Sequence, residues 1–284
     1  MIRLGLLGWP LAHSLSPKLQ NAALSAVGLE GEYKLYPVDP AQPEKLAEFV
    51  NKIRAGELIG LNVTIPYKQS VIPYMDVLTP AASRIGAVNA IYLREGRIVG
   101  HNTDAFGFET DLQNKSGKIL NEPGTALVLG AGGSARAVIS TLLEFSWKVT
   151  IAARNVNQAR LLRQSLAQEK YADNLDCILL DLEDLRHFIN NLRLIVNATP
   201  VGMFPQNNYS PWPETLPFPS GAFVYDLVYN PNKTLLVKQT EAAGLSGANG
   251  LGMLVEQASQ GFEIWTGRPA PRDVMYSSVA GSIN

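Results

Sequence analysis

An α/β protein of two α/β domains with a cleft between them is what this 284-residue sequence predicts. Three observations carry that expectation. Residues 1–100 alternate short apolar runs with amphipathic stretches, the order that yields a mostly parallel sheet. A second alternating block opens near Thr125. Its first apolar run leads into Gly130-Ala131-Gly132-Gly133-Ser134-Ala135, and a helical stretch from Ser134 to about Leu143 leads out. Strand, glycine turn, helix is the context of a Rossmann-type dinucleotide fingerprint.

In the first block, strands are expected at 3–7, 32–38, 60–63 and 87–93, and helices at 17–27, 43–55 and 79–85. In the second block, strands are expected at 125–129, 148–153, 176–180, 194–197 and 223–227. The Pro- and Asn-rich stretch 204–220 reads as a loop. Residues 252–266 place apolar side chains at helical spacing, just after Asn249-Gly250. No repeat of solenoid length and no low-complexity tract interrupts this order.

Composition narrows the function classes. Hydrophobic residues make up 46% and charged residues 17%, enough apolar content to bury a core. With 24 basic and 25 acidic residues, the net charge of −1 gives no electrostatic footprint for nucleic acid or an anionic membrane. The single cysteine, Cys177, excludes an internal disulfide and a cysteine-rich zinc site. It is expected to be a small core residue, and a reducing cytoplasm fits. His13, His101 and His187 form no close-spaced metal-ligand motif, so no metal is expected. The first residues, Met1 to Gly8, read as a strand too short and glycine-broken for a signal peptide or membrane span.

The glycine turn has specific chemistry. Gly130 permits the tight turn, Gly132 has no Cβ to bar backbone from a pyrophosphate, and Ala135 is the small residue where helix meets strand. Phosphates would sit at the helix N-terminus, where N–H groups are unpaired. An acid after the next strand would mark an NAD site. Here the run is Ala152-Ala153-Arg154-Asn155, without an acid, and Arg154 stands where a 2′-phosphate needs a planar cation. That composition favours NADP.

Four polar clusters follow expected strand ends. His13-Ser14-Leu15-Ser16-Pro17 offers two hydroxyls, although Ser16 also reads as a helix N-cap. Asn62-Val63-Thr64-Ile65-Pro66-Tyr67-Lys68 offers a lysine that can transfer a proton if it lies in a cleft, or a solvated lysine if it does not. Asn89 is an amide in an apolar strand, fit to orient a polyol or to satisfy the backbone. Asp104, in Asn102-Thr103-Asp104, could pair with Lys68 or merely cap the helix that begins near Ala105. His101 reads as a partly exposed structural histidine.

Taken in order, the segments Ser14-x-Ser16, Asn62-Val63-Thr64-x-Pro66-x-Lys68, Gly86-Ala87-Val88-Asn89, Asn102-Thr103-Asp104 and the glycine turn resemble the shikimate dehydrogenase family. So do Asn197-Ala198-Thr199-Pro200-x-Gly202-Met203, Asp226-x-x-Tyr229-x-Pro231 and Asn249-Gly250-x-Gly252-Met253-Leu254-x-x-Gln257. The resemblance implies NADPH-dependent reversible reduction of 3-dehydroshikimate to shikimate, in the pathway to chorismate and aromatic amino acids. It implies Lys68 and Asp104 as the catalytic pair, Ser14 and Ser16 on the substrate carboxylate, and Thr64, Asn89, Tyr229 and Gln257 on its hydroxyls and flank. It implies Gly130, Ala131, Gly132, Gly133 and Ser134 on the pyrophosphate and Arg154 on the 2′-phosphate. Thr199, Met203, Leu227 and Gly250 would line the adenosine or nicotinamide side. Residues 1–102, completed by C-terminal helices within 249–284, would bind substrate, and residues 103–248 would bind NADP.

One departure stands out. Family members commonly read Asn-Arg-Thr at the phosphate site, where this chain has Ala153-Arg154-Asn155, and Gln158 stands where a second arginine often occurs. Fewer cationic and hydroxyl donors imply a looser grip on the 2′-phosphate. A quinate/shikimate dehydrogenase of broader substrate range or with NAD use is therefore the alternative. Relatives are often dimers, which leaves a homodimer open. A non-catalytic binding module is disfavoured because Lys68 and Asp104 are both present.

Overall fold

The computed structural model describes residues 1–167 and 169–281, side chains at 169 and 170 excepted. Residues 282–284, the end of the expected C-terminal segment, lie outside that description. The chain divides into two compact units. Among the described residues, one comprises Met1–Gly107 and 254–281; the other comprises Phe108–Met253.

The first unit is built on β1 (Ile2–Gly8), α1 (Ser16–Ala26), β2 (Gly31–Pro37), α2 (Lys45–Arg54), β3 (Gly60–Val63), β4 (Val77–Leu78), α3 (Pro80–Ile85), β5 (Ala90–Arg94) and β6 (Arg97–His101). The sheet order is β2-β1-β3-β5-β6-β4. β2, β1 and β3 run parallel, as the alternation of strands and helices requires. β5 runs antiparallel to both β3 and β6, so the sheet is mixed. The cause is local: β5 and β6 are joined by the tight turn at Glu95-Gly96, both at positive φ, and a hairpin needs no crossover helix. The strand expected at 87–93 starts only at Ala90, because Val88 N–H donates to Lys68 O at 2.7 Å instead of to a neighbouring strand.

Period-two side-chain alternation gives this sheet two apolar faces. Leu7, Leu61, Val63, Ile91 and Ile98 pack with Leu46, Val50 and Ile53 of α2. Leu4, Leu6, Tyr33 and Ala90 pack with Trp265, whose Nε1–H donates to Ile91 O at 3.2 Å. Trp265 lies on α9 (Leu251–Thr266), and α10 (Arg272–Ala280) follows it.

The second unit contains β7 (Thr125–Leu129), α5 (Gly133–Glu144), β8 (Lys148–Ala153), α6 (Val156–Leu166), β9 (Leu175–Leu179), α7 (Leu182–Phe188), β10 (Leu192–Asn197), β11 (Phe223–Asp226), α8 (Leu235–Ala242) and β12 (Gly247–Asn249). Its sheet runs β12-β11-β10-β7-β8-β9, wholly parallel. The order reverses between β7 and β10, the switch point beyond which open α/β sheets bind ligands. Both faces are covered. Val128, Ile151, Val196 and Tyr225 meet α5, while Leu127, Leu129, Ile195 and Val224 meet Leu185, Trp212 and Leu236. Each such buried apolar side chain contributes ~1.5–3 kcal/mol. The expected loop 204–220 is irregular, yet it delivers Trp212 into that second face. Cys177 is half-buried at the edge of the first face.

The expected junctions at 102/103 and 248/249 precede the points where the units part. Those points lie inside α4 (Asp104–Ser116) and α9. At the first of these points, the opening turn of α4 is bonded through Asp104 to Lys68 and Asn89, which lie between β3 and β5. No helix among the described residues is long and apolar enough to cross a membrane.

Candidate active site

Lys68 and Asp104 meet in the first unit. Lys68 Nζ donates to Asp104 Oδ2 at 2.6 Å, with side chains only 11% and 7% exposed. The lysine's segment is pinned by its neighbours: Tyr67 Oη donates to Val38 O at 2.8 Å, and Lys68 O accepts from Val88 N–H. Asp104 opens α4, where a carboxylate is favoured by the helix dipole. Asn102 serves the cap that was one reading of this tripeptide, accepting from Asp104 N–H at 3.0 Å. Capping and pairing thus coexist, carried by different residues.

Asn89 is less available than expected. One amide N–H donates to Asp104 Oδ1 at 2.8 Å and the other to Thr103 Oγ1 at 3.0 Å, while Oδ1 accepts from Thr103 N–H at 2.7 Å. Both donors are thus committed inside the protein, and the amide orients Asp104. Each carboxylate oxygen of Asp104 then has its own fixed donor, which holds the plane of the group. Thr103, fully buried, also lies 3.5 Å from Gln257 Oε1.

Ser16 is not the N-cap. Leu15 occupies that position and offers no side-chain cap, while Ser16 N–H donates to Ser14 Oγ at 3.3 Å. The Ser16 hydroxyl bonds Tyr33, whose phenol is pushed up by burial and drawn back by that bond. Tyr33 Oη donates to Asn62 Oδ1 at 2.8 Å, and Asn62 Nδ2 donates to Asn89 O at 3.0 Å. A buried polar chain therefore runs from Ser16 to the strand end that holds Asn89. Thr64 is half-buried just after β3, its N–H on Leu7 O. His101 is half-buried, its Nδ1 2.8 Å from Thr79 Oγ1; burial lowers its pKa, and a bond to Gln260 opposes that.

The second unit holds the glycine turn at the switch point. Gly130 has φ +108, a conformation that L side chains rarely adopt. Gly132 is the N-cap of α5 and supplies no side chain to its first N–H groups. A Cβ built on Gly132 meets nothing within 4 Å, so the fold itself does not require glycine there. Open space, N–H groups without a side-chain cap and a helix N-terminus together fit a pyrophosphate, with Ala131, Gly133 and Ser134 in the same turn. Buried Ala153 ends β8, and Arg154 beyond it is exposed. Its two polar neighbours are engaged elsewhere. Asn155 caps α6 by accepting from Gln158 N–H at 3.2 Å, and Gln158 Nε2 donates to Ala131 O at 3.3 Å.

Thr199 follows β10 and donates to Asn197 Oδ1 at 2.6 Å. Met203 is exposed, Leu227 half-buried and Gly250 buried against the Leu227 backbone. Tyr229 is half-buried in the loop after β11, with its phenol pushed up by burial. Sequence reasoning missed Tyr33, Thr103, Asn197 and Asp226. Of these, Asp226 carried the clearest signal, an acid closing the apolar run Phe223-Val224-Tyr225.

Comparisons with known proteins agree on one family. The family models "Shikimate dehydrogenase substrate binding domain", "Shikimate / quinate 5-dehydrogenase" and "Shikimate 5'-dehydrogenase C-terminal domain" match residues 6–91, 114–203 and 250–279. A shikimate dehydrogenase (NADP(+)) of Symbiobacterium thermophilum is 39% identical over 99% of this chain and 94% of its own length. That of Salinibacter ruber is 40% identical over 96% and 95%. The solved shikimate 5-dehydrogenase of Thermus thermophilus, in complex with NADP(H) and shikimate, is 37% identical, with TM-score 0.84 over 100% of both chains.

Proposed function

This chain belongs to the shikimate dehydrogenase family, and from that premise we propose how its residues divide the work. The activity is NADP-dependent shikimate dehydrogenation, an oxidoreductase reaction of the shikimate pathway. It runs reversibly between shikimate and 3-dehydroshikimate. The observation that carries the residue assignment is the buried Lys68–Asp104 pair.

When bound between the glycine turn and Arg154, NADPH would supply hydride for the C3 carbonyl carbon. Negative charge then develops on the carbonyl oxygen, and the Lys68 ammonium donates its proton there, stabilising the transition state more than the ground state. In the oxidative direction, neutral Lys68 takes the C3 hydroxyl proton. Asp104 orients the lysine, and Asn89 keeps Asp104 in register. Ser14 and Ser16 hold the substrate carboxylate; Thr64, Tyr229 and Gln257 hold its hydroxyls and flank. The first unit is the substrate domain and the second the NADP domain, with the turn Gly130–Ser134 on the pyrophosphate and Arg154 on the 2′-phosphate. Thr199, Met203, Leu227 and Gly250 line the remainder of the cofactor. A cytoplasmic setting is supported by the single, unpaired cysteine.

One observation favours a looser cofactor choice. Beside Arg154 stand two neutral side chains, with Asn155 Oδ1 accepting at the α6 N-terminus and Gln158 Nε2 donating to the glycine turn, so the charge offered to a 2′-phosphate here is that of Arg154. The test is the initial rate of NADPH oxidation with 3-dehydroshikimate, beside NADH and with quinate in the reverse assay. A rate with NADPH is expected. No rate with either cofactor would sink the assignment, and equal rates would retain the reaction while removing the 2′-phosphate from its specificity.

A further inference from the structure

Two of the family-like segments begin with residues that this function leaves unused, Asn197 and Asp226. They are register partners on β10 and β11, at the last residue of each strand. Both are fully buried, and Asn197 Nδ2 donates to Asp226 Oδ1 at 2.8 Å. From this pair the contacts fan into two loops. Asn197 Oδ1 accepts from Thr199 N–H at 2.9 Å and from its hydroxyl, and Asn197 Nδ2 also donates to Val201 O at 3.3 Å. Asp226 Oδ1 accepts from Val228 N–H at 3.0 Å, and Oδ2 accepts from Thr234 Oγ1 at 2.7 Å. Thr234 in turn caps α8 through Val237 N–H at 3.2 Å.

We propose that the Asn197–Asp226 pair is a positioning device for NADP, locking the loop after β10 to the loop after β11 so that Thr199, Met203 and Leu227 present one fixed wall. It rests on the reading that these three residues face the cofactor. These residue types supply the acceptors and donors that the network uses. An amide presents an acceptor to Thr199 and a donor to its partner at the same time. A carboxylate accepts from Asn197, Val228 and Thr234 together. Neither residue touches the glycine turn or the proposed catalytic pair in any of these bonds.

The test measures NADP+ and shikimate dissociation constants by calorimetry on the full chain. Asp226→Ala strips acceptors from Asn197, Val228 and Thr234. NADP+ affinity should fall at least about tenfold, and shikimate, with Tyr229 as its single proposed ligand in these loops, less than about threefold. Asp226→Asn keeps Oδ1, and the Thr234 hydroxyl can accept from the new amide, so NADP+ affinity should return to within about threefold. Unchanged NADP+ binding in Asp226→Ala, equal losses for both ligands, or no rescue by asparagine would each overturn the proposal. If Asp226→Ala does not fold, Thr234→Val carries the test, with a smaller NADP+-selective loss restored by Thr234→Ser; equal affinities overturn it. Met203→Ala and Leu227→Ala separate the two layers of argument. If they leave NADP+ binding untouched, the cofactor wall itself is misassigned; if they weaken it while Asp226→Ala does not, the positioning role alone fails.

Discussion

Lys68 Nζ and Asp104 Oδ2 lie 2.6 Å apart across 36 residues of chain, almost sealed from solvent. A buried ion pair is weak support for stability, because desolvation offsets much of the attraction. The proposed role of the pair is therefore proton transfer at a lysine held in place by Asp104. Lys68→Ala should cut kcat by about 10²- to 10⁴-fold with a smaller change in shikimate affinity. Asp104→Asn should also lose turnover while retaining a hydrogen bond to the lysine. Steady-state kinetics with shikimate and NADP+ decide it; near-normal kcat in Lys68→Ala removes the lysine from the chemistry.

Gly132 and Gly130 should part company under substitution. Gly132→Ala meets open space, so its folding free energy should stay within about 1 kcal/mol of wild type. Its NADP+ affinity should nonetheless fall about tenfold or more, since a methyl group intrudes where phosphate approaches. Gly130→Ala, at φ +108, should cost ~1–3 kcal/mol of stability by itself. Urea unfolding and NADP+ titration of both variants check this; a Gly132→Ala enzyme that binds NADP+ normally excludes the turn as the phosphate site.

Arg154 is exposed, and among the described residues no ion pair holds it. Arg154→Ala should raise the KM for NADPH about 10- to 100-fold, the value of a charge-assisted bond to phosphate, and leave KM for NADH unchanged. Parallel losses with both cofactors would point to a damaged fold instead of a lost phosphate ligand.

Burial raises the Asp226 carboxyl to about 6, against donors from Thr234, Val228 and Asn197 that pull it down. A carboxyl whose folded pKa lies above its unfolded one favours the native state fully below the unfolded value, near 4, and that contribution is lost as pH rises through about 6. The group therefore costs about 3 kcal/mol at pH 7.5 relative to pH 3.5. Asp226→Asn should remove that pH-dependent penalty, so its stability relative to wild type rises between pH 4.5 and 7.5. Denaturant midpoints at both pH values test the sign, and a constant difference would show that Asp226 is not the titrating group.

Much of this molecule was legible locally. Five of the second block's strands, β7 to β11, the helix after the glycine turn and the irregular stretch 204–220 follow from apolar runs, helical spacing and turn residues, which are properties of a few neighbouring positions, whereas the short edge strand β12 was not expected. The glycine turn and Arg154 are read from equally local signals. Ser16 misled because Ser-Pro is also a cap signature, and only the packed Tyr33 shows where its hydroxyl goes.

What the sequence by itself determined was the α/β class, the parallel second sheet, the glycine turn between strand and helix and a list of polar candidates at strand ends. Tertiary structure alone decided which candidates meet. Lys68 reaches Asp104, Asn89 spends its amide on Asp104 and Thr103, and Asn197 finds Asp226 across 29 residues. The physical reason is that strand and turn preferences act along the chain, whereas a side-chain hydrogen bond depends on sheet order and register. The order β7, β10, β11 and the pairing of Asn197 with Asp226 bring together positions that no short stretch of sequence relates.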